Sequence, residues 1–242
     1  MKIMKKKKPA KKEFSIIEIL SNSWKLFTEN FKLILIITLI VYIPINIILS
    51  LVPVDTLVEQ QGTLRGFGTY FRIIRILEGL VGIIATMAIA FAMKSKLDKK
   101  YIDFKIALKK SLSRWLPAIG TNILLGIFLL GLFLLLIIPG IVYSVYWAFT
   151  VYAVILYDKA GKKALDHSKS VVKGRWWKVF WYFLIFEVLA IIVAAIAAIP
   201  SWFLPENALF YIVSDTFIDI VLSYFTVVGA VFFINFDKTK KA

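Results

Sequence analysis

The chain has 242 residues, 60% of them hydrophobic and 15% aromatic, and its 30 Lys and Arg against 15 Asp and Glu leave a net charge of +15. An ordinary soluble domain is roughly 45–50% apolar, so a soluble fold is excluded and an all-α membrane protein is expected. The absence of Cys excludes disulfides, thiol catalysis and Cys-ligated metals, and a single His leaves no metal set and no cofactor to expect.

The charge is placed in blocks. Of the 30 Lys and Arg, 27 fall within residues 1–32, 94–117, 158–178 and 237–242. Basic segments between apolar spans stay on the cytoplasmic side during insertion, so the alternation of basic-rich and basic-poor connections predicts six spans with both termini inside. Only Arg65, Arg72 and Arg75 lie elsewhere, at one outer boundary. The same placement argues against nucleic acid as a partner, because short basic loops beside spans are explained by insertion and by anionic headgroups. Met1–Lys12 is too basic for a secretory leader and precedes an amphipathic segment, so the N-terminus is expected to be retained.

In chain order, residues 1–13 read as a basic cytoplasmic tail. Over 14–31, Ile16, Leu20, Trp24, Phe27 and Phe31 recur at helical spacing, which predicts an amphipathic helix lying in the headgroup plane. A span needs about 20 apolar residues, and six stretches qualify, near 31–52, 73–93, 118–138, 141–157, 177–199 and 217–236. Pro44 and Pro53 are expected to kink or end the first, with Asn46 beside the bend to satisfy a freed carbonyl. A second stripe of Tyr101, Phe104, Leu108, Leu112 and Trp115 precedes the third span. Pro139-Gly140, after the apolar run Ile123 to Ile138, predicts the turn into the fourth. A weaker stripe of Leu165, Ser168, Val172 and Trp176 precedes the fifth, and residues 237–242 close the chain as a second cytoplasmic tail.

The expected domain, residues 14–236, is therefore three hairpins of spans, each led by an interfacial helix. Ile19-Leu20-x-x-Ser23, Ala107-Leu108-x-x-Ser111 and Ala164-Leu165-x-x-Ser168 share a spacing and precede Phe31, Trp115 and Trp176, so a pseudo-threefold arrangement is anticipated. Ser168 is expected to cap or pack against a neighbouring helix, and His167 to be solvated.

Lys173-Gly174-Arg175-Trp176-Trp177-Lys178 reads as an elbow. Gly174 ends the amphipathic helix, the tryptophans occupy the interface, and Arg175 and Lys178 stay with phosphates. Lys173, Arg175 and Lys178 are candidates for an anionic headgroup site, beside the plainer role of anchoring the turn. With Pro139-Gly140 and Gly161-x-x-Ala164-Leu165-x-x-Ser168, this run resembles the membrane domain of some bacterial glycerophosphodiester phosphodiesterases and of related uncharacterised six-span prokaryotic proteins. The resemblance implies a six-helix domain without the catalytic barrel, so no catalytic role is carried over.

Glu187 falls near the middle of its span, where a carboxylate is costly and is a functional candidate by default. It either couples a proton or cation in a polar cavity with Asn46 and Asn122, or is protonated and shares a packing hydrogen bond. Arg72, Arg75, Asp215 and Asp219 share a leaflet, as a salt-bridged outer cluster or a vestibule for a charged solute. Small residues at spacing four, Gly82, Thr86 and Ala90, Gly140, Ser144 and Ala148, and Ala190, Ala194 and Ala198, are expected at close helix contacts. No nucleophile with a base, metal set or phosphate loop points to an enzyme. The expected function is a non-catalytic lipid-associated or partner-binding module of a prokaryotic cytoplasmic membrane. Anionic lipid, a protein partner or a second copy are its expected partners, and the alternative is a small transporter or permease subunit using the intramembrane carboxylate.

Overall fold

The computed structural model describes residues 12–203, 205 and 207–240, with the backbone alone at residues 54, 55, 67, 75 and 78. Most of the predicted N-terminal tail, and residues 241 and 242 of the other, lie outside the described residues. Within them the secondary structure is helical, and six stretches are long and apolar enough to cross a membrane: Phe31–Ser50, Thr63–Leu97, Trp115–Leu135, Ile137–Tyr157, Trp176–Phe203 and Ala208–Thr239.

Helix α1 (Ile16–Glu29) is set by a capping box: Ser15 Oγ accepts from Glu18 N–H at 3.2 Å, and the Glu18 carboxylate accepts from Ser15 N–H at 2.7 Å. It leads into α2 (Phe31–Ser50), which carries Pro44 in its interior. A short α3 (Val54–Gln61) follows; with few apolar residues and little periodicity, it was not anticipated. The second span is longer than the predicted 73–93. Helix α4 (Thr63–Leu77), a π-helical turn (Glu78–Gly82) and α5 (Ile83–Leu97) form one rod of 35 residues. Helix α6 (Phe104–Ser113), capped by the Asp103 carboxylate on Ile106 N–H at 2.8 Å, leads into α7 (Trp115–Leu135). The fourth span is divided into α8 (Ile137–Trp147) and α9 (Thr150–Tyr157). Helix α10 (Lys162–Val172) leads into α11 (Trp176–Ala198), with a 3-10 turn over Ile199–Phe203. Gly174, with φ of 80°, makes the elbow between them. The last helix, α12 (Ala208–Thr239), has 32 residues and not the predicted 217–236.

The expected turn at Pro139-Gly140 is corrected. The chain reverses at Leu136, whose φ of −157° and ψ of 132° are extended. Pro139 is in the first turn of α8, where its missing N–H has no intrahelical partner to lose. Gly140 serves a contact, since a Cβ there would stand 2.5 Å from the Phe133 ring.

Helices α7 and α11 form the rim: only 11% and 6% of their most apolar windows are buried. The core runs through α5, α9 and α12, where Met87, Met93, Phe149, Phe232, Phe233 and Phe236 are fully buried. Phe149 is its hub, 5.0 Å ring to ring from Phe232 and 5.1 Å from Phe183. Tyr152 stacks on Phe233 at 5.3 Å. Gly229 is required beside it, because a Cβ would meet the Tyr152 hydroxyl at 2.1 Å.

Helix α6 packs on α5, α10 on α8 and α9, and α1 on α12. In each, the residue pair at the contact is the one repeated in the sequence: Ile19 and Ser23, Ala107 and Ser111, Ala164 and Ser168 are all 0% exposed. Ser111 Oγ donates to Ile84 O at 2.7 Å, and Trp115 Nε1 donates to Leu80 O, four residues earlier, inside the π turn. Ser168 Oγ donates to Tyr146 O at 2.8 Å, and Trp176 Nε1 donates at 3.0 Å to Val142 O, again four residues earlier. Ser168 also accepts from Phe149 N–H at 3.0 Å, so its hydroxyl sits in the gap of the fourth span's hydrogen-bond ladder, an established cause of a helix break. The first unit departs from this pattern. Ser23 Oγ has no hydrogen-bond partner among the described residues, and the tie is made instead by Tyr224 Oη donating to Leu20 O at 3.1 Å.

The predicted stripes of α1 and α6 face the protein only in part: Phe27 is buried, and Ile16, Leu20, Phe104, Leu108 and Trp115 pack against the core. Trp24, Tyr101 and Leu112 are 59%, 83% and 55% exposed, while the small-residue edge turns into the protein. In α10 the predicted Leu165, Ser168 and Val172 are buried as expected.

Ser168→Ala deletes a hydroxyl that satisfies two backbone groups, so it should destabilise the protein by about 1–3 kcal/mol. Ser23→Ala, at the matching position without a partner, should be neutral or slightly stabilising. Thermal unfolding followed by Trp fluorescence checks the pair, and equal losses would contradict the assignment.

Candidate functional site

Arg175 and Lys178 do not stand free. The Arg175 guanidinium is 9% exposed; its Nη1 lies 2.6 Å from Glu13 Oε1 and 3.0 Å from Thr239 Oγ1, its Nε donates to Val171 O at 2.8 Å, and Nη2 donates to Phe236 O. Its plane lies 4.5 Å from the Phe236 ring centroid. Lys178 Nζ reaches Glu13 Oε2 at 2.9 Å. The two cations thus converge on one carboxylate and fasten the start of the described chain to the junction of α10, α11 and α12. Lys173 is exposed and does not join them. Burial works to raise the Glu13 pKa, but hydrogen bonds from Lys178 and Arg175 outweigh it, and the pKa is lowered. Arg114, which precedes Trp115 as Arg175 precedes Trp176, does the equivalent work: Nη2 donates to Lys159 O at 3.2 Å, and Nε lies 3.4 Å from Asp158 Oδ1.

Glu187, Asn46 and Asn122 are not brought together. Glu187 is exposed on the flank of α11. Asn46 is buried and donates to Thr216 Oγ1 at 3.1 Å and to Asp219 Oδ2 at 2.8 Å on α12, not to a carbonyl freed by Pro44. Asn122 lines a separate cavity between α2, α5, α7 and α8. At the outer cluster, Arg72 is exposed and enters no ion pair among the described residues, and the side chain of Arg75 lies outside them. Asp215 lines a cleft of about 440 Å³ with Tyr70, Tyr211, Ser201 and Asn207, and the Tyr70 and Tyr211 hydroxyls are hydrogen-bonded across it.

A further cleft, of about 420 Å³, lies at the lysine-rich end, walled by α1, the end of α5 and the end of α12. Its lining combines Lys25, Lys96, Lys99 and Lys238 and the Glu29 carboxylate with apolar Phe14, Leu26, Leu97, Val231 and Ile234. Lys25 stands 3.9 Å from Glu29, while Lys96, Lys99 and Lys238 enter no ion pair among the described residues. Lys99 is placed by the end of α5: its φ of 57° is left-handed, Lys99 N–H donates to Lys96 O at 2.9 Å, and Lys100 N–H donates to Ser95 O at 2.9 Å, the bonds of a Schellman cap. Asn235 fixes the opposite wall by accepting from Phe14 N–H at 2.9 Å.

The expectation that His167 is solvated is corrected. It is 7% exposed, with Nε2 3.1 Å from Asp237 Oδ1 and Nδ1 2.6 Å from Lys159 Nζ, and Tyr157 stacks on it at 4.7 Å while donating to Asp237. This group pins α9, α10 and α12 together. One sequence signal pointed to it. Asp98-Lys99, Asp158-Lys159 and Asp237-Lys238 each follow an apolar residue at the end of an even-numbered span. Hydrogen bonds from Lys94 to Asp98 and from Lys110 to Asp158 hold both carboxyls below their ordinary range. Among the described residues no group of three or more His, Asp or Glu is placed to hold a metal ion.

A folded pKa lowered below the unfolded one gives stability that is present above the ordinary carboxylate range and is lost as pH falls through the lowered value. Glu13→Gln should therefore destabilise the protein by about 1 kcal/mol at neutral pH. Its difference from the parent chain should close as pH falls below about 4, read from unfolding midpoints in detergent; a difference independent of pH would contradict the tether.

No protein-family model, no curated protein and no solved structure matches the chain.

Proposed function

We propose that the chain is a multi-pass protein of a prokaryotic cytoplasmic membrane, with three helical hairpins about a pseudo-threefold axis and both termini inside. Its role is that of a non-catalytic module that holds anionic phospholipid at its inner face. The bilayer setting is supported by the exposed surface: Leu134, Leu135, Leu136, Ile137 and Ile138 at the α7–α8 turn are 65–79% exposed, and no charged residue lies between Trp115 and Tyr157. Water would not tolerate such a tip; lipid requires it. The orientation is supported by the Lys-rich segments, which meet at one end through the Arg175–Glu13, Lys110–Asp158 and His167–Asp237 pairs.

The observation that carries the lipid reading is the cleft of Lys25, Lys96, Lys99 and Lys238. Lys96, Lys99 and Lys238, which enter no ion pair among the described residues, beside an apolar lining match a phosphate attached to acyl chains, because the headgroup would neutralise them while the chains cover Leu97 and Val231. The proposed site thus moves from Lys173, Arg175 and Lys178, of which Arg175 and Lys178 are engaged by Glu13, to the lysines of this cleft. The resemblance to the membrane domain of phosphodiester-cleaving proteins is in keeping with a lipid-facing role.

The test is native mass spectrometry after release from nanodiscs of phosphatidylcholine and phosphatidylglycerol. The parent chain should retain one phosphatidylglycerol. Changing Lys96, Lys99 and Lys238 together to Gln should weaken retention by on the order of a hundredfold, at about 1 kcal/mol per cation, whereas Lys173→Gln should not change it. Retention that survives the triple change, or is absent from the parent, overturns the reading; a co-purifying protein in place of lipid does the same and favours a partner.

A further inference from the structure

We propose that the cavity between α2, α5, α7 and the break of the fourth span binds an uncharged, hydroxyl-bearing ligand that enters from the surrounding lipid. The cavity holds about 550 Å³ and presents Tyr42, Thr86, Asn122, Ser144 and Thr150 to its interior, a size within the range of small-ligand sites. Among the described residues its wall carries no charge. A phosphate or carboxylate buried there would be left without a counterion, whereas hydroxyl and amide groups match a ligand that both donates and accepts.

Two independent features separate it from an accident of packing. Both helix irregularities reach it: Gly79 and Gly82 belong to the π turn of the second span, and Trp147 and Ala148 end α8 at the break of the fourth. Irregular backbone at membrane depth persists where it lines a cavity, and π turns recur at functional sites. The polar wall is also incompletely satisfied. Ser144 and Thr150 donate to Ile141 O at 2.8 Å and Trp147 O at 2.6 Å, but Asn122 and Thr86 make no side-chain hydrogen bond among the described residues. An amide left without a partner away from water is costly, and a ligand hydroxyl supplies what it lacks. Gly82, Thr86, Ser144 and Ala148, expected from the sequence at close helix contacts, hollow this wall instead.

The route of entry follows from position. Asn122 lies seven residues beyond Trp115 in α7, about 10 Å along the helix axis. It and Gly79 are exposed, so the mouth opens on the flank of the bundle and not at either end. The ligand hydroxyl meets Asn122 and Thr86, and its chains lie along Leu125 and Val151. This site is separate from the lysine cleft and stands or falls without it.

The experiment is photolabelling in phosphatidylcholine nanodiscs with a diazirine analogue of dioctanoylglycerol, mapped by mass spectrometry of peptides. Saturable labelling is expected on the segments holding Thr86, Asn122 and Ser144–Val151, displaced by unlabelled dioctanoylglycerol but not by glycerol or by dioctanoyl phosphatidic acid. Thr86→Val and Asn122→Leu should each reduce it about fivefold, the loss of one hydrogen bond. Two variants are used so that a folding defect in one, seen by circular dichroism, leaves the other. Displacement by glycerol overturns entry from lipid and assigns the hydroxyl site to a water-borne polyol. Displacement by phosphatidic acid, or labelling that never saturates and spreads along α11, overturns the site.

Discussion

A helix interrupted inside an apolar medium leaves N–H and C=O groups that only other parts of the protein can take up. Two of the six spans are interrupted, and in both the helix that follows is tied to carbonyls at or beside the interruption, four residues apart, through a serine hydroxyl and an indole N–H. That requirement fixes much of the rest. It forces α6 and α10 against the spans that precede them, which demands small residues at Ala107, Ser111, Ala164 and Ser168. It leaves their remaining apolar side chains, such as Tyr101 and Leu112, facing outward, where the proposed bilayer covers them.

The same logic explains the division of labour among charges. Arg114 and Arg175, at the starts of α7 and α11, each reach a backbone carbonyl, Lys159 O just past the end of α9 and Phe236 O in the last turn of α12, the latter a group that a helix C-terminus leaves open. A guanidinium suits this because one planar fork serves a carboxylate and a carbonyl together. Lysines serve as point charges on flexible stems, some paired as Lys178 and Lys110 are, others at the cleft where the proposed phosphate would be their counterion.

The sequence made six spans legible because length and hydropathy determine existence well, and it made the positions of α1, α6 and α10 legible through their periodicity. It misplaced the ends of the second and sixth spans, since Arg72, Ser214 and Asp215 interrupt the apolar run without interrupting the helix. Pro139-Gly140 was read as a turn because the same pair also suits the first turn of a helix. The Lys173, Arg175 and Lys178 trio missed its carboxylate because Glu13 lies more than 160 residues away in the chain. The lysine cleft was hidden for the same reason, being assembled from three distant segments. Only the recurring Ile/Ala-Leu-x-x-Ser and Asp-Lys pairs carried information across such separations, because the same residues recur where the helices that bear them make similar contacts.

The central claim is that α1 belongs to the packed end of the bundle, closed onto α12 as α6 and α10 are closed onto their spans, and does not lie loose at the membrane surface. Hydrogen exchange in nanodiscs tests this most directly. Amides of Ile19–Phe27 should exchange as slowly as those of Val227–Phe236, and Tyr224→Phe, which removes the hydrogen bond to Leu20 O, should accelerate the α1 amides first. Exchange of α1 within seconds while α12 remains protected would contradict the account.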